Sequence, residues 1–131
     1  MSDTLIRCLS KSSSFFDDKA VEVPKRIIET NEAEKESKQY DTGAGCVYVF
    51  ESNTDVLYVG QTGTSLRKRA RYATSKHIEK DWWKKVDRIR ICQLGNSADR
   101  LALEMLLIVK LQPSVNKRPS RSAINCMQLK F

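Results

Sequence analysis

The sequence predicts a mixed α+β domain in which a small three-stranded antiparallel sheet is flanked by helices. Two β-rich runs, residues 46–51 and 56–60, enclose a Ser-Asn-Thr-Asp turn and therefore predict a hairpin. Residues 86–94 alternate polar and apolar side chains and predict a third strand. Residues 98–111 are apolar around most of a helical circumference, which is typical of a helix buried in the core of a domain.

Shorter helices are predicted on either side of this sheet. A basic helix over residues 65–73 follows the second strand, and Ser65 is placed to cap its amino terminus. A second helical stretch covers residues 77–85 and holds Trp82 and Trp83, whose rings could stack on bases, although at least one is expected in the core. Upstream, residues 24–37 fit a short helix, since Pro24 suits a first helical turn.

A change of composition divides the chain in two. The run Asp-Thr-Gly-Ala-Gly at residues 41–45 is typical of a hinge. We therefore predict an N-terminal extension, residues 1–43, that is partly flexible with one short helix, and a principal domain over residues 44–131. Within the extension, residues 1–14 are rich in serine and weakly patterned, which favours a mobile or loosely docked arm.

Charge is distributed unevenly along the chain, whose formal net charge is +7. Residues 1–45 contain seven Lys/Arg and nine Asp/Glu, whereas residues 46–131 contain sixteen Lys/Arg and seven Asp/Glu. A strongly basic domain suits a polyanionic partner such as nucleic acid. A basic surface that serves only solubility is the alternative at this point.

The cysteines and the amino terminus bear on the cellular compartment. The four cysteines form no Cys-x-x-Cys pair and His77 is the only histidine, so structural zinc is not expected. Unpaired thiols indicate a reducing interior. Asp3 and Arg7 interrupt any apolar core of a signal peptide, and no run approaches the length of a membrane span. We expect a cytoplasmic protein without a membrane partner, associated with the nucleoid, or nuclear in a eukaryotic cell.

Five short elements follow one another in the basic part of the chain. In order they are Cys46-Val47-Tyr48, Tyr58-Val59-Gly60, Leu66-x-x-Arg69, Glu104 on the apolar helix, and Pro113 with Asn116. This series resembles the GIY-YIG nucleases, a family of metal-dependent endonucleases, over about residues 45–119. Cys46 and Val47 replace a glycine and an isoleucine of the first tripeptide, and Gln61 stands where relatives often carry a lysine.

The resemblance implies a site for phosphodiester hydrolysis in DNA. It assigns Tyr48 and Tyr58 to the activation of water and Arg69 to the scissile phosphate. It makes Glu104 the single protein ligand of Mg²⁺ or Mn²⁺, with water and phosphate oxygens completing the coordination shell. Asn116 resembles the residue that closes the family's site by hydrogen bonds. These five residues are the expected catalytic set.

The chemistry of these residue types agrees with that assignment. A carboxylate in the middle of so apolar a helix is costly unless Glu104 is paired or binds a metal. The planar guanidinium of Arg69 matches phosphate oxygens better than a lysine does. A phenol with a pKa of ~10 is a poor base at neutral pH, so Tyr48 needs a neighbouring cation or hydrogen bond to act as one. The structural alternative is an ion pair between Glu104 and Arg69 or Arg100.

Further residues are expected to contact the nucleic acid outside the catalytic set. They are Arg67, Lys68, Arg71, His77, Lys117 and Arg118. His77 lies two helical turns beyond Arg69, which favours a surface contact with DNA over a role as general base.

Two other classes of function stay open from the sequence. A non-catalytic nucleic-acid-binding module would keep the fold and the basic face, and Gln61 favours it slightly. A small structural domain with core tyrosines would leave Glu104 unexplained. DNA is favoured over RNA as the partner by family association alone. No zinc finger or helix-turn-helix is present to read a target sequence, so we expect weakly sequence-specific or structure-directed cleavage, or a host complex that provides the target. A homodimer is the other assembly that we consider.

Overall fold

A computed structural model describes residues 3–74 and 76–116 of the chain. Within this part, four antiparallel strands form one sheet: β1 (Val21–Val23), β2 (Cys46–Glu51), β3 (Val56–Thr62) and β4 (Arg88–Gln93). The helices are α1 (Asp3–Lys19), α2 (Lys25–Glu29), α3 (Glu34–Ser37), α4 (Leu66–Tyr72) and α5 (Ser97–Leu111). Short 3₁₀ turns cover Asn31–Ala33, His77–Glu79 and Asp81–Lys85. None of the helices in the described part is long and apolar enough to cross a membrane.

The sheet, in the order β1-β4-β2-β3, has one strand more than the sequence predicts. In the additional pair, Val21 of β1 lies opposite Ile91 of β4, and Val23 lies opposite Ile89. Three residues between a helix and Pro24 carry too short a pattern to predict a strand, and they become one by pairing with a distant segment. The α+β class is therefore confirmed, and the fourth strand comes from the N-terminal extension.

The sheet separates two layers of the core. The side chains of Tyr48 and Phe50 lie on one face, where α2, α4 and the 3₁₀ turns pack over them. Those of Val47 and Val49 lie on the other face and pack against α1 and α5. This division follows from strand geometry, since successive side chains of β2 point to opposite faces. Helices on both faces leave every side chain of β2 from Cys46 to Phe50 buried.

Helix α1 replaces the mobile arm that the serine-rich sequence predicts. Its buried side chains, Leu9, Ser12 and Phe16, recur at the three- and four-residue spacing of one helical face. The helix packs against α5, and Asp17 forms an ion pair of 2.9 Å with Arg90 of β4. Serine is not a strong helix former, so the stability of α1 comes from tertiary packing rather than from propensity.

Phe16 provides a test of whether the N-terminal extension belongs to the folded unit. Its side chain is 1% exposed, whereas that of its neighbour Phe15 is 40% exposed. We expect Phe16→Ala to lower the free energy of unfolding by about 3–5 kcal/mol and Phe15→Ala to lower it by less than about 1 kcal/mol. Urea denaturation followed by circular dichroism measures both. Small and equal changes for the two variants would show that α1 is dispensable for the fold.

Two predicted helices are interrupted in the structure. The predicted helix over residues 24–37 is divided into α2, a 3₁₀ turn and α3, because Thr30 adopts an extended backbone conformation. The stretch over residues 77–85 consists of two 3₁₀ turns joined at Lys80, which is also extended. With this break, both His77 and Trp83 are buried in the core.

Three free cysteines lie within the described residues. Cys46 and Cys92 are buried, on adjacent strands, while Cys8 is exposed on α1. Burial raises the pKa of the Cys46 thiol far above its ordinary value, so this side chain acts as a small apolar group. Neither strand cysteine has the low pKa that a reactive thiol requires, since burial raises the pKa of Cys92 as well.

Candidate active site

Tyr48 lies in the middle of the sheet with its hydroxyl group buried. The side chain is 1% exposed, and the hydroxyl oxygen lies 2.8 Å from Nε2 of His77. The ring extends across Gly60, its partner on β3, where an added Cβ would stand 2.5 Å from Cζ of the phenol. Residue 60 must therefore be a glycine, because the ring of Tyr48 occupies the space that a Cβ would need.

Tyr58 lies beside Tyr48 on the same face of the sheet. The two rings are nearly parallel, with an interplanar angle of 6° and centroids 6.1 Å apart. Tyr58 is only partly buried, whereas Tyr48 is fully enclosed. The site therefore has an inner phenol held by a histidine and an outer phenol within reach of a ligand.

Arg69 and Glu104 act on the ionisation of both phenols. Burial is the main reason that the pKa of Tyr48 is raised well above its ordinary value; the positive charge of Arg69 opposes the shift and Glu104 adds to it. Burial also raises the pKa of Tyr58, again with Arg69 opposing and Glu104 adding. Four of the five predicted catalytic residues, from β2, β3, α4 and α5, are thus brought within electrostatic range of one another.

His77 belongs to this site, although the sequence predicts a surface position for it. The side chain is 2% exposed, and burial, together with the charges of Arg69 and Lys80, lowers its pKa to about 3. The imidazole is therefore neutral at physiological pH and suited to accept a hydrogen bond from Tyr48. Its uniqueness as the only histidine of the chain is the single sequence signal that could have singled it out.

The buried, neutral state of His77 makes the stability of the protein depend on pH. Because folding lowers its pKa from 6.5 to about 3, the unfolded chain binds this proton more readily between those values. Stability is therefore greatest above pH 6.5 and decreases as the pH falls toward 3. We expect the wild type to lose more unfolding free energy than His77→Gln between neutral pH and about pH 4, measured by urea titration at each pH. Parallel pH profiles for the two proteins would contradict a buried neutral imidazole.

Asn116 lies at the open edge of β3. Its Oδ1 accepts a hydrogen bond from the amide of Val59 at 3.0 Å, and its Nδ2 donates to the carbonyl of Val59 at 2.5 Å. The preceding residues, Ser114 and Val115, also donate their amides to β3. Asn116 therefore holds the strand that carries Tyr58. Both hydrogen bonds of its side-chain amide are made with the backbone of Val59, which lies between Tyr58 and Gly60.

Two arginines that the sequence assigns to DNA contacts are used inside the protein. Nη1 of Arg67, a buried side chain, donates to the carbonyl of Ile27 at 2.7 Å, and Nη1 of Arg71 donates to that of Glu29 at 2.8 Å. Together the two guanidinium groups bond every carbonyl from residue 27 to residue 31. They donate hydrogen bonds to carbonyl groups at the carboxyl end of α2, which have no amide donor within the helix. The expectation of a DNA contact by Arg67 and Arg71 is therefore corrected to a structural role.

Other predicted nucleic-acid contacts have different outcomes. Lys68 is exposed on α4, as a phosphate contact requires. Lys117 and Arg118 lie outside the described residues. Exposed cations that the sequence analysis did not single out follow His77 on the 3₁₀ turns, at Lys80, Lys84 and Lys85.

Gln61 contacts a second buried arginine, Arg100. Its Oε1 accepts a hydrogen bond from Nε of Arg100 at 3.1 Å. Nη1 of Arg100 donates to the carbonyls of Leu94 and Gly95, each at 2.9 Å. Arg100 precedes Glu104 by four residues on α5, so a permanent cation stands on the same helical face as the predicted metal ligand.

The acidic side chains of the site fit a cation held by a single carboxylate. Among residues 3–74 and 76–116, no group of three or more His, Cys, Asp or Glu side chains is close enough to enclose a metal ion. Magnesium accepts such a site, because it retains several waters and binds substrate phosphate oxygens. Glu104 is 4% exposed and its charge acts on both phenols, so it is the residue that would hold the ion.

The chain has no significant match among protein-family models, curated proteins or solved structures. The likeness to the GIY-YIG nucleases is carried by the short motifs of the sequence. The function is therefore inferred from the chemistry of the site.

Proposed function

We propose that this chain is a metal-dependent endonuclease that hydrolyses phosphodiester bonds in DNA. The observation that carries the proposal is the buried hydroxyl of Tyr48, 2.8 Å from Nε2 of a neutral histidine. The charges of Arg69 and Glu104 act on the same phenol. An acceptor for a proton, a cation for a phosphate and a carboxylate for a metal are the three groups that such a hydrolysis needs.

Water would be activated by Tyr48 and His77 acting together. With its own proton on Nδ1, His77 accepts a hydrogen bond from the Tyr48 hydroxyl at Nε2, and the second lone pair of the phenol oxygen would accept a hydrogen bond from a water that enters with the phosphate. As the water oxygen bonds to phosphorus, its proton passes to Tyr48 while the hydroxyl proton of Tyr48 passes to His77. This transfer avoids a free phenolate, which the raised pKa of Tyr48 makes unfavourable. Because the pKa of His77 is lowered to about 3, the imidazolium would pass its proton on to the leaving oxygen as the bond between phosphorus and that oxygen breaks.

Arg69 and Glu104 would stabilise the charge of the phosphate. The guanidinium of Arg69 binds two oxygens of the phosphate and retains its positive charge throughout the reaction. Glu104 would hold Mg²⁺ or Mn²⁺, and the ion, when bound, would lower the pKa of water and neutralise negative charge on the phosphate. The bond between phosphorus and the leaving oxygen breaks, which produces one phosphate end and one hydroxyl end.

A non-catalytic nucleic-acid-binding module is the second candidate function. Gln61 favours it, because its amide is bonded to Arg100 where a lysine would offer a further cation to the phosphate. The raised pKa of Tyr48 also favours it, since a phenol that ionises with difficulty is a poor base by itself. Both candidates bind nucleic acid, and only the first breaks it.

Cleavage of supercoiled plasmid in Mg²⁺ or Mn²⁺ separates the two candidates. We expect the wild type to nick or linearise the plasmid with metal and not with EDTA. Tyr48→Phe and Arg69→Ala should lose this activity while keeping the circular dichroism spectrum of the wild type. Lys35→Ala, which removes an exposed cation of α3, is the matched control and should cleave as the wild type does. A folded wild type that shifts DNA in a gel and never cleaves it would establish the binding module instead.

A salt series tests the electrostatic part of the proposal. Each phosphate neutralised by the protein releases counterions, so the affinity for DNA should fall steeply as salt rises. The same titration with RNA of equal length decides between the two nucleic acids. An affinity that hardly changes between low and moderate salt would argue against a nucleic-acid partner.

A further inference from the structure

Three aromatic rings form a series that runs from the core to the surface of the proposed site. The rings of Tyr48 and Tyr58 are nearly parallel, and that of Trp82 continues the series at 12° to Tyr58 with a centroid distance of 5.4 Å. Tyr48 is enclosed, whereas Tyr58 and Trp82 are partly exposed. The series therefore ends in an indole at the surface, beside the phenol that faces the ligand.

Packing on Phe50 and His77 accounts for only part of the surface of Trp82. Its neighbour Trp83 is buried and fills the core with its ring edge-on to Phe50, at a centroid distance of 5.2 Å. Trp82 packs against the outside of that cluster and keeps part of its surface in solvent. A partly exposed indole, aligned with the rings of a proposed nuclease site, is suited to stack a planar ligand.

The charges around Trp82 suit a nucleic acid. Lys80, Lys84 and Lys85 are exposed on the same two turns, and the charge of Lys80 acts on His77 of the site. The acidic residues of these turns are Glu79, which is paired with Lys76, and Asp81. Aromatic rings interleaved with cations are the usual composition of surfaces that hold single strands, with bases on the rings and phosphates on the cations.

We propose that Trp82 stacks an unpaired base of the nucleic acid whose phosphate lies at Arg69, so that the site selects single-stranded or locally unpaired DNA over continuous duplex. The inference rests on the proposed function and names its substrate class. A base inside a duplex is already stacked on both faces and cannot offer one to Trp82 without leaving the helix. An unpaired base has a face available and incurs no such cost.

Fluorescence of 2-aminopurine, a base analogue that is quenched by stacking, tests the inference directly. Glu104→Gln serves as the parent protein, so that cleavage does not interfere. The probes are a single strand, the matching continuous duplex, and the same duplex with one unpaired 2-aminopurine. We expect quenching and tight binding with the first and third probes, and weaker binding without quenching with the continuous duplex.

Variants of Trp82 in the same parent assign the effect to this ring. Trp82→Leu should weaken binding of the unpaired probes by about 5-fold to 100-fold and abolish quenching, with no change for the duplex. Trp82→Phe keeps an aromatic face and should retain most of both signals. Tyr72→Leu removes an aromatic that is 65% exposed on α4 and lies outside the series, so it should behave as the parent does. Thermal unfolding of each variant checks the fold.

The outcomes separate this inference from the nuclease proposal. Equal affinities of the parent and a folded Trp82→Leu for the unpaired probes would overturn the stacking role, even if the wild type cleaves plasmid. If quenching depends on Trp82 but the wild type cleaves no DNA, the stacking role stands and the nuclease proposal is refuted. A preference for continuous duplex would overturn the proposed substrate class.

Discussion

Glu104→Gln should abolish metal-dependent cleavage of DNA, with a loss of rate on the order of 10³-fold or more. The amide keeps the shape of the side chain, but it carries no charge to attract a divalent cation. Shape matters at this position, because Glu104 is buried on α5 and a truncated side chain would leave a cavity. The variant therefore separates the loss of a ligand from the loss of the fold.

Two measurements accompany the Glu104→Gln experiment. Isothermal titration with Mn²⁺ should show binding to the wild type and none to the variant, and the thermal unfolding midpoints should be similar. Glu79→Gln is the matched control, because Glu79 is an exposed carboxylate paired with Lys76 at 3.7 Å. This variant should cleave DNA as the wild type does. Cleavage by Glu104→Gln at the rate of the control would remove Glu104 from the mechanism.

Gly60→Ala should disable the site from the neighbouring strand without replacing any group that reacts. A Cβ at this position would lie 2.5 Å from both Cζ and the hydroxyl oxygen of Tyr48, so the ring must move away from it. We expect overpacking to lower the free energy of unfolding by about 1–3 kcal/mol. Displacing the hydroxyl from His77 by about 1 Å should reduce cleavage on the order of 10²-fold.

Gly95→Ala provides the matched control for this experiment, because a Cβ at Gly95 would meet no atom within 4 Å. It should cleave as the wild type does and change the free energy of unfolding by less than about 1 kcal/mol. Plasmid cleavage and urea denaturation measure both variants. Identical results for Gly60→Ala and Gly95→Ala would show that the ring of Tyr48 does not depend on Gly60.

The strands and the long helix of the principal domain can be predicted from local patterns. β2, β3, β4 and α5 begin and end within two residues of their predicted bounds. Residues 86–94 alternate with a period of two, β2 and β3 are β-rich runs divided by a turn, and the apolar run of α5 is too long for a strand. The pairing of the two tyrosines on one face follows from the same period, since the hairpin aligns their strands.

Contacts between distant segments account for what the sequence does not predict. β1 becomes a strand by pairing with β4, and His77 is buried by contacts with the distant strands β2 and β3, among them the hydroxyl of Tyr48 and the ring of Tyr58. The roles of Arg67 and Arg71 are ambiguous for a chemical reason. A guanidinium donates equally well to a phosphate oxygen and to a backbone carbonyl, so the residue type does not distinguish a DNA contact from a brace on α2.

The packing of α1 against α5 has a consequence for the nascent chain on the ribosome. Leu9 and Phe16 are synthesised long before any residue of the helix that will cover them, and β1 likewise precedes its partner β4. Their apolar surfaces therefore stay in solvent through most of translation, where association with other chains competes with folding. Such dependence on distant contacts also slows folding once synthesis is complete. Helix α1 therefore stays partly uncovered until α5 has been synthesised.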